Sequence, residues 1–198
     1  MSGAAENQAE VSFIPLDVND AGNVFALQCM AHRDALHEPE TLFSRILTAQ
    51  GAISLGLRVD GKFSGYALGY PVKRARDNFQ DGPRPERDAG VLYLHDLALL
   101  PRVQGSGYGA ALYLAFEKEA MRLGFNHIIA NAIDGQQDFW ARRGYSPVSE
   151  TSYHGVQAMR MEKTLDMAGT GVQPAASEND PSCEGFARFE ADESDEHL

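Results

Sequence analysis

Apolar positions recur along this chain with two periods, and the switches between them mark out its elements. Val11 to Leu16 alternates as a short strand does. Asp17 to Asp20 then offers capping residues for a helix running to about Leu36, with Phe25, Leu27, Cys29 and Met30 as its buried side. Pro39 followed by Glu40 suits the start of a second helix, and Leu42, Phe43, Ile46 and Leu47 fall at helical spacing before Gly51 ends it. Ala52 to Val59 and Phe63 to Tyr70 read as two strands joined by Asp60-Gly61, a hairpin dipeptide. Residues 71–90 are rich in Pro, Gly and charge of both signs, including Arg74, Arg76, Arg84 and Arg87, and read as a long exposed loop.

Val91 to Leu100 is the most apolar strand, interrupted only by His95 and Asp96, which predicts an interior position. A helix over Gly107 to Leu123 turns Leu112, Phe116 and Met121 to the core and stops at Gly124; His127 to Ile133 follows as a strand, completing a βαβ unit. A short helix near Gln136 to Arg143, capped by Gly144, precedes strands at Tyr145 to Val148 and Gln157 to Lys163. One domain over residues 11–165 is expected, with a flexible N-terminus at 1–10. From Asp166 to Leu198 the composition shifts to Gly, Pro, Ser and acid, which predicts a disordered acidic tail.

Composition changes the picture in one respect. The formal net charge of −11 looks like a signal for a basic partner, but nine of the 28 acids lie from Asp166 onward against one of the 17 bases. The remainder is close to balanced and has no basic stripe to neutralise phosphates, so a nucleic-acid partner is not expected. Two cysteines, Cys29 and Cys183, allow no disulfide framework. No apolar run approaches the roughly 20 residues needed to cross a bilayer, and residues 1–10 lack the pattern of a secretion signal. A cytoplasmic protein with no membrane partner is expected.

The chemistry concentrates after the apolar strand. A loop of small residues between a strand and a helix gathers backbone N–H groups, lets them approach a ligand without Cβ clashes, and adds the positive end of the helix dipole. Two phosphate-binding motifs compete for these residues. Gly105-Ser106-Gly107-Tyr108-Gly109-Ala110 fits the dinucleotide fingerprint G-x-G-x-x-G/A, with Asp134 near the place of a ribose-binding acid. Against it, Pro101-Arg102-Val103-Gln104 separates the loop from the strand, and too little chain follows Asp134 for a dinucleotide sheet. The second motif is Q/R-x-x-G-x-G/A, matched by Gln104, Gly107 and Gly109.

With that register the segment from Tyr93 to Leu112 resembles the fourth strand, cofactor loop and third helix of the GNAT superfamily of N-acetyltransferases. Phe139-Trp140-Ala141-Arg142-Arg143-Gly144-Tyr145 resembles the later F-[YW]-x-x-x-G-[FY] segment of that family. The likeness spans about residues 11–163. It implies an α/β (α+β) fold: a mixed, mostly antiparallel twisted sheet of six or seven strands flanked by about four helices. It also implies transfer of an acetyl group from acetyl-CoA, with no metal, to a primary amine of a small molecule or peptide, by direct attack in a ternary complex. Homodimers are common among similar proteins.

The resemblance assigns roles. Backbone N–H groups from Val103 through Gln104, Gly105, Ser106, Gly107, Tyr108, Gly109 and Ala110 would hold the coenzyme A pyrophosphate, with Arg102 as counter-charge. Leu97 and Leu99 would present main-chain groups to the pantetheine arm and thioester, one N–H serving as an oxyanion donor. His95 stands where many relatives carry Glu and would accept the amine proton; Asp96 follows it, and strand alternation places the two on opposite faces. Trp140 stands where many relatives have the Tyr that protonates the leaving thiolate, a role Trp cannot fill. This leaves Tyr145 or Tyr108 as donors, or an unassisted thiolate, with Trp140 packing on the cofactor. An acyl-CoA-binding sensor of the same fold is the second reading, and a nucleotide-dependent oxidoreductase the third.

Overall fold

In a computed structural model, residues 9–74, 79, 81–84, 90–133 and 135–166 are described. The N-terminal stretch 1–8, Arg76, Arg87, Asp134 and the acidic tail with Cys183 lie outside them. Seven strands among the described residues form one sheet: β1 (Val11–Pro15), β2 (Ile53–Val59), β3 (Lys62–Val72), β4 (Val91–Leu99), β5 (His127–Ile133), β6 (Ser146–Tyr153) and β7 (Val156–Thr164). Their spatial order is β1-β2-β3-β4-β5-β7-β6, and every pairing is antiparallel except β4 with β5. Among the described residues four helices flank it: α1 (Ala21–Ala31), α2 (Glu40–Leu47), α3 (Tyr108–Arg122) and α4 (Gln137–Ala141). The α/β fold expected from the sequence is therefore the observed one. Among the described residues no helix is long and apolar enough to cross a membrane.

The β2–β3 hairpin turns at Asp60 and Gly61, with φ of 50° and 70°, as its dipeptide requires. The sheet has two apolar faces. α3 covers one through Leu112 and Phe116 against Leu57, Leu92, Leu94 and Ile128, while α1 and α2 cover the other through Val24, Leu27 and Phe43 against Tyr66, Leu68 and Tyr93.

Three features differ from the sequence expectation. The first helix ends at Ala31; His32 is extended (φ −113°, ψ 157°), and only a single 3-10 turn follows at Asp34–Leu36. Its buried side is Ala21, Val24, Leu27 and Gln28, a true helical spacing, and Cys29 and Met30 are exposed. The loop after β3 is not uniformly exposed: Phe79 is buried, stacks on Tyr93 at 4.3 Å between ring centroids, and its carbonyl accepts from the Tyr70 hydroxyl.

Two irregularities in β4 create the site. The β3–β4 register runs Leu68↔Asp96 and then Gly69↔Leu94, so His95 is an extra, unpaired residue, a β-bulge. Gly69 lies opposite it, where a Cβ would come within 2.6 Å of Phe116 and 2.9 Å of the Tyr93 carbonyl oxygen. The parallel β4–β5 ladder covers only Leu92 to Leu94, and beyond it the two strands part.

Candidate active site

The bulge changes which side chains share a face. Before it Val91 and Tyr93 point to α1 and α2, and Leu92 and Leu94 to α3; after it Ala98 points to α1 and Leu99 to α3. One inserted residue reverses the alternation, so His95 and Asp96 both face the α1 side rather than opposite sides. This corrects the sequence expectation.

Their surroundings differ. The His95 ring has no exposed surface; it is packed among Tyr70, Tyr93 and Tyr153, and its Nε2 lies 2.8 Å from Glu38 Oε2. Burial alone would discharge this imidazole, but the Glu38 carboxylate outweighs that and raises its pKa. Its Nδ1 is buried without a partner. Glu38 also accepts from Tyr153 Oη, from His154 Nε2 at 3.3 Å and from Gln28 Nε2 at 3.4 Å. One carboxylate thereby ties α1, β4 and the β6–β7 hairpin together.

Asp96 turns instead to His32, at the end of α1. His32 Nε2 lies 3.0 and 3.2 Å from the two Asp96 oxygens, and the Tyr66 hydroxyl donates to Oδ2 at 2.6 Å. Asp96 stays ionised: burial pushes its pKa up, but the His32 charge and the hydrogen bonds from His32 and Tyr66 bring it below the usual carboxylate value. The same carboxylate raises the pKa of His32, against burial. Neither His32 nor Glu38 stood out in the sequence. Only the break at Ala31 brings them to β4, and His32 has no motif around it.

The glycine loop lies at the other end of the splay. A 3-10 turn at Pro101–Val103 leads to Gln104, whose side chain donates to the Leu99 carbonyl at 2.9 Å. Gly105 and Gly107 have φ of 78° and 82°, and a Cβ at either position would meet no atom within 4 Å, so glycine is required here for its backbone and not for space. Val103 and Gln104 N–H are already bonded to Leu100 and Pro101, and Ala110 N–H to Gly107. Within the span from Val103 to Ala110, this leaves the N–H groups from Gly105 to Gly109, at the start of α3, to meet an anion. Arg102 turns away and donates to Ser64 at 3.1 Å. Arg143 takes the position facing the cleft, its guanidinium 3.4 Å from the centre of the Phe139 ring.

Two adjoining cavities result. The larger, about 480 Å³, runs from Gly105, Gly107 and Gly109 past Leu99 to Leu97. The smaller, about 260 Å³, lies beside Asp96 and Asn131. They share Ala31, His32, Leu97, Gln136 and Trp140 as walls. Trp140 packs edge-on to Tyr113, Phe139 and Tyr145, with its indole N–H buried and unpartnered. Tyr145, expected as a donor, is buried with its hydroxyl bonded to Tyr113, and neither it nor Tyr108 lines either cavity.

A model of the acetyltransferase (GNAT) family matches residues 23–145, more than half of the chain. The chain belongs to the GNAT family. Solved structures agree on the fold. The GNAT chain is similar to the ribosomal-protein-S18-alanine N-acetyltransferase of Escherichia coli, with TM-score 0.64 and 17% identity over 83% of this chain and 99% of that one. The loading GNATL domain of CurA from Lyngbya majuscula gives 0.68 at 13% identity over 78% and 98% of the two chains. The PaiA N-acetyltransferase of Thermoplasma acidophilum, solved in complex with coenzyme A, gives 0.59 at 14% over 79% and 99%. No curated protein matches the sequence significantly.

Proposed function

We propose that this GNAT protein transfers an acetyl group from acetyl-CoA to a primary amine of a small molecule or peptide, by direct attack in a ternary complex. The observation that carries the reading is the pair of cavities meeting at Leu97, His32 and Trp140. The larger extends to a loop with N–H groups at a helix N-terminus, which suits a pyrophosphate; the smaller holds ionised Asp96, which attracts a cationic acceptor.

In this reading Gly105 to Gly109 bind the pyrophosphate and Arg143 supplies the counter-charge. The pantetheine arm lies along Leu97 and Leu99, where β4 has left β5. Trp140 packs against the thioester. Direct attack needs no protein nucleophile, and Cys29, the one cysteine among the described residues, lines neither cavity.

Calorimetric titration with acetyl-CoA and a thiol-release assay across primary amines test the reading. Binding followed by amine-dependent thiol release is the expected result. Binding without release to any amine would favour the sensor reading instead.

A further inference from the structure

We propose that His32 is the catalytic base of this site, with Asp96 as its positioning residue, an assignment that rests on the acyl-transfer reading above. Asp96 fixes the tautomer. An ionised carboxylate only accepts hydrogen bonds, so the His32 Nε2 facing both Asp96 oxygens carries its proton there. The lone pair of the neutral ring is therefore on Nδ1, which carries no hydrogen bond among the described residues. His32 lines both cavities and keeps 23% of its side chain exposed, so it borders on the space where an amine and a thioester would meet.

The neighbouring groups are committed elsewhere. His95 lines the smaller cavity, but its side chain exposes no surface and its Nε2 is bonded to Glu38, and Asp96 spends both oxygens on His32 and Tyr66. Among the described residues, the charged and titratable groups around His32 are Asp96 and His95 from β4, Tyr66 from β3, Cys29 on the last turn of α1, and Arg33, His37 and Glu38 after it. His37 Nε2 bonds the His32 carbonyl, and Glu38 adds to the field that favours a charged ring.

In the transfer step His32 Nδ1 takes one proton from the ammonium group and becomes imidazolium. The freed nitrogen pair bonds the thioester carbon, the C–S bond breaks, and sulphur leaves with its pair as thiolate. The second nitrogen proton passes to that thiolate, giving amide and free thiol, and imidazolium returns its proton to water.

The test measures kcat/KM against pH with acetyl-CoA and the best acceptor among spermidine, L-lysine, histamine and a tripeptide with a free amino terminus. NMR titration of the histidine ring signals is run in parallel. For the wild type we expect a limb rising through a pKa above 6.5, matched by the His32 signal. His32→Gln should lose the limb and about 100-fold or more of kcat, with acetyl-CoA affinity retained. Asp96→Asn should move both limb and NMR titration to lower pH, a shift that a merely structural role would not produce. A His32→Gln protein that keeps the limb, or an Asp96→Asn protein whose limb stays in place, overturns the assignment. Wild-type protein that acetylates no amine in the panel overturns the acyl-transfer reading and the assignment with it.

Discussion

His95 Nε2 lies 2.8 Å from Glu38 Oε2, and the two side chains expose 0% and 2% of their surface. Burial pushes the Glu38 carboxyl up, but the His95 charge and the hydrogen bonds from His95, Tyr153 and His154 outweigh it and hold the group at about 2. A carboxyl lowered from 4.5 stabilises the fold above that pH, and the contribution is lost as pH falls from 4.5 toward 2. Removing one partner of a buried pair strands the other. Glu38→Ala is therefore expected to cost about 3–5 kcal/mol in denaturant unfolding at pH 7. The gap to wild type should narrow as pH drops below 4.5.

The glycine loop separates backbone need from space. Gly107→Ala places a side chain at φ 82°, which costs about 1–2 kcal/mol of stability. Gly109→Ala meets only Leu99 Cδ1 at 3.5 Å and Phe139 at 4.0 Å, ordinary contacts, yet Gly109 and both of these neighbours line the larger cavity. Thermal unfolding should show a loss for Gly107→Ala and little for Gly109→Ala, while calorimetry shows weaker acetyl-CoA binding for both.

In the proposed reading Arg143 takes the counter-charge role that the family resemblance assigns to Arg102. A hydrogen bond to a charged group contributes about 1.5–3 kcal/mol, so Arg143→Ala should weaken acetyl-CoA binding about tenfold or more. Arg102→Ala, which among the described residues loses a hydrogen bond to Ser64, should leave the dissociation constant nearly unchanged. Equal losses would contradict the assignment of Arg143.

Phe79 gives a stability test inside a segment that reads as exposed loop. Its ring is stacked on Tyr93, so Phe79→Ala should cost about 3–5 kcal/mol, seen as a lower denaturation midpoint with unchanged slope.

Local chemistry predicted what local chemistry controls. Asp60-Gly61 specified its hairpin, Gly107 and Gly124 bounded α3, and the apolar run broken only by His95 and Asp96 specified the interior strand β4. The site is legible only in part, because its decisive contacts are not local. His32 meets Asp96 across 64 residues and Glu38 meets His95 across 57, with no periodicity linking them. Alternation failed at His95 because a bulge adds a residue that no apolar pattern marks. Phe79 was hidden by the Pro, Gly and charges around it, although a lone aromatic in such a segment is a candidate anchor.

Five residues serve as wall for both cavities, so an occupant of one becomes part of the surface seen by the other. Thermodynamic linkage makes any such effect reciprocal: the factor by which a first ligand changes the affinity for a second is the factor by which the second changes the first. Order of addition is then a matter of rates, and substitutions at Leu97 or Trp140, which wall both cavities, bear on the coupling between the two ligands.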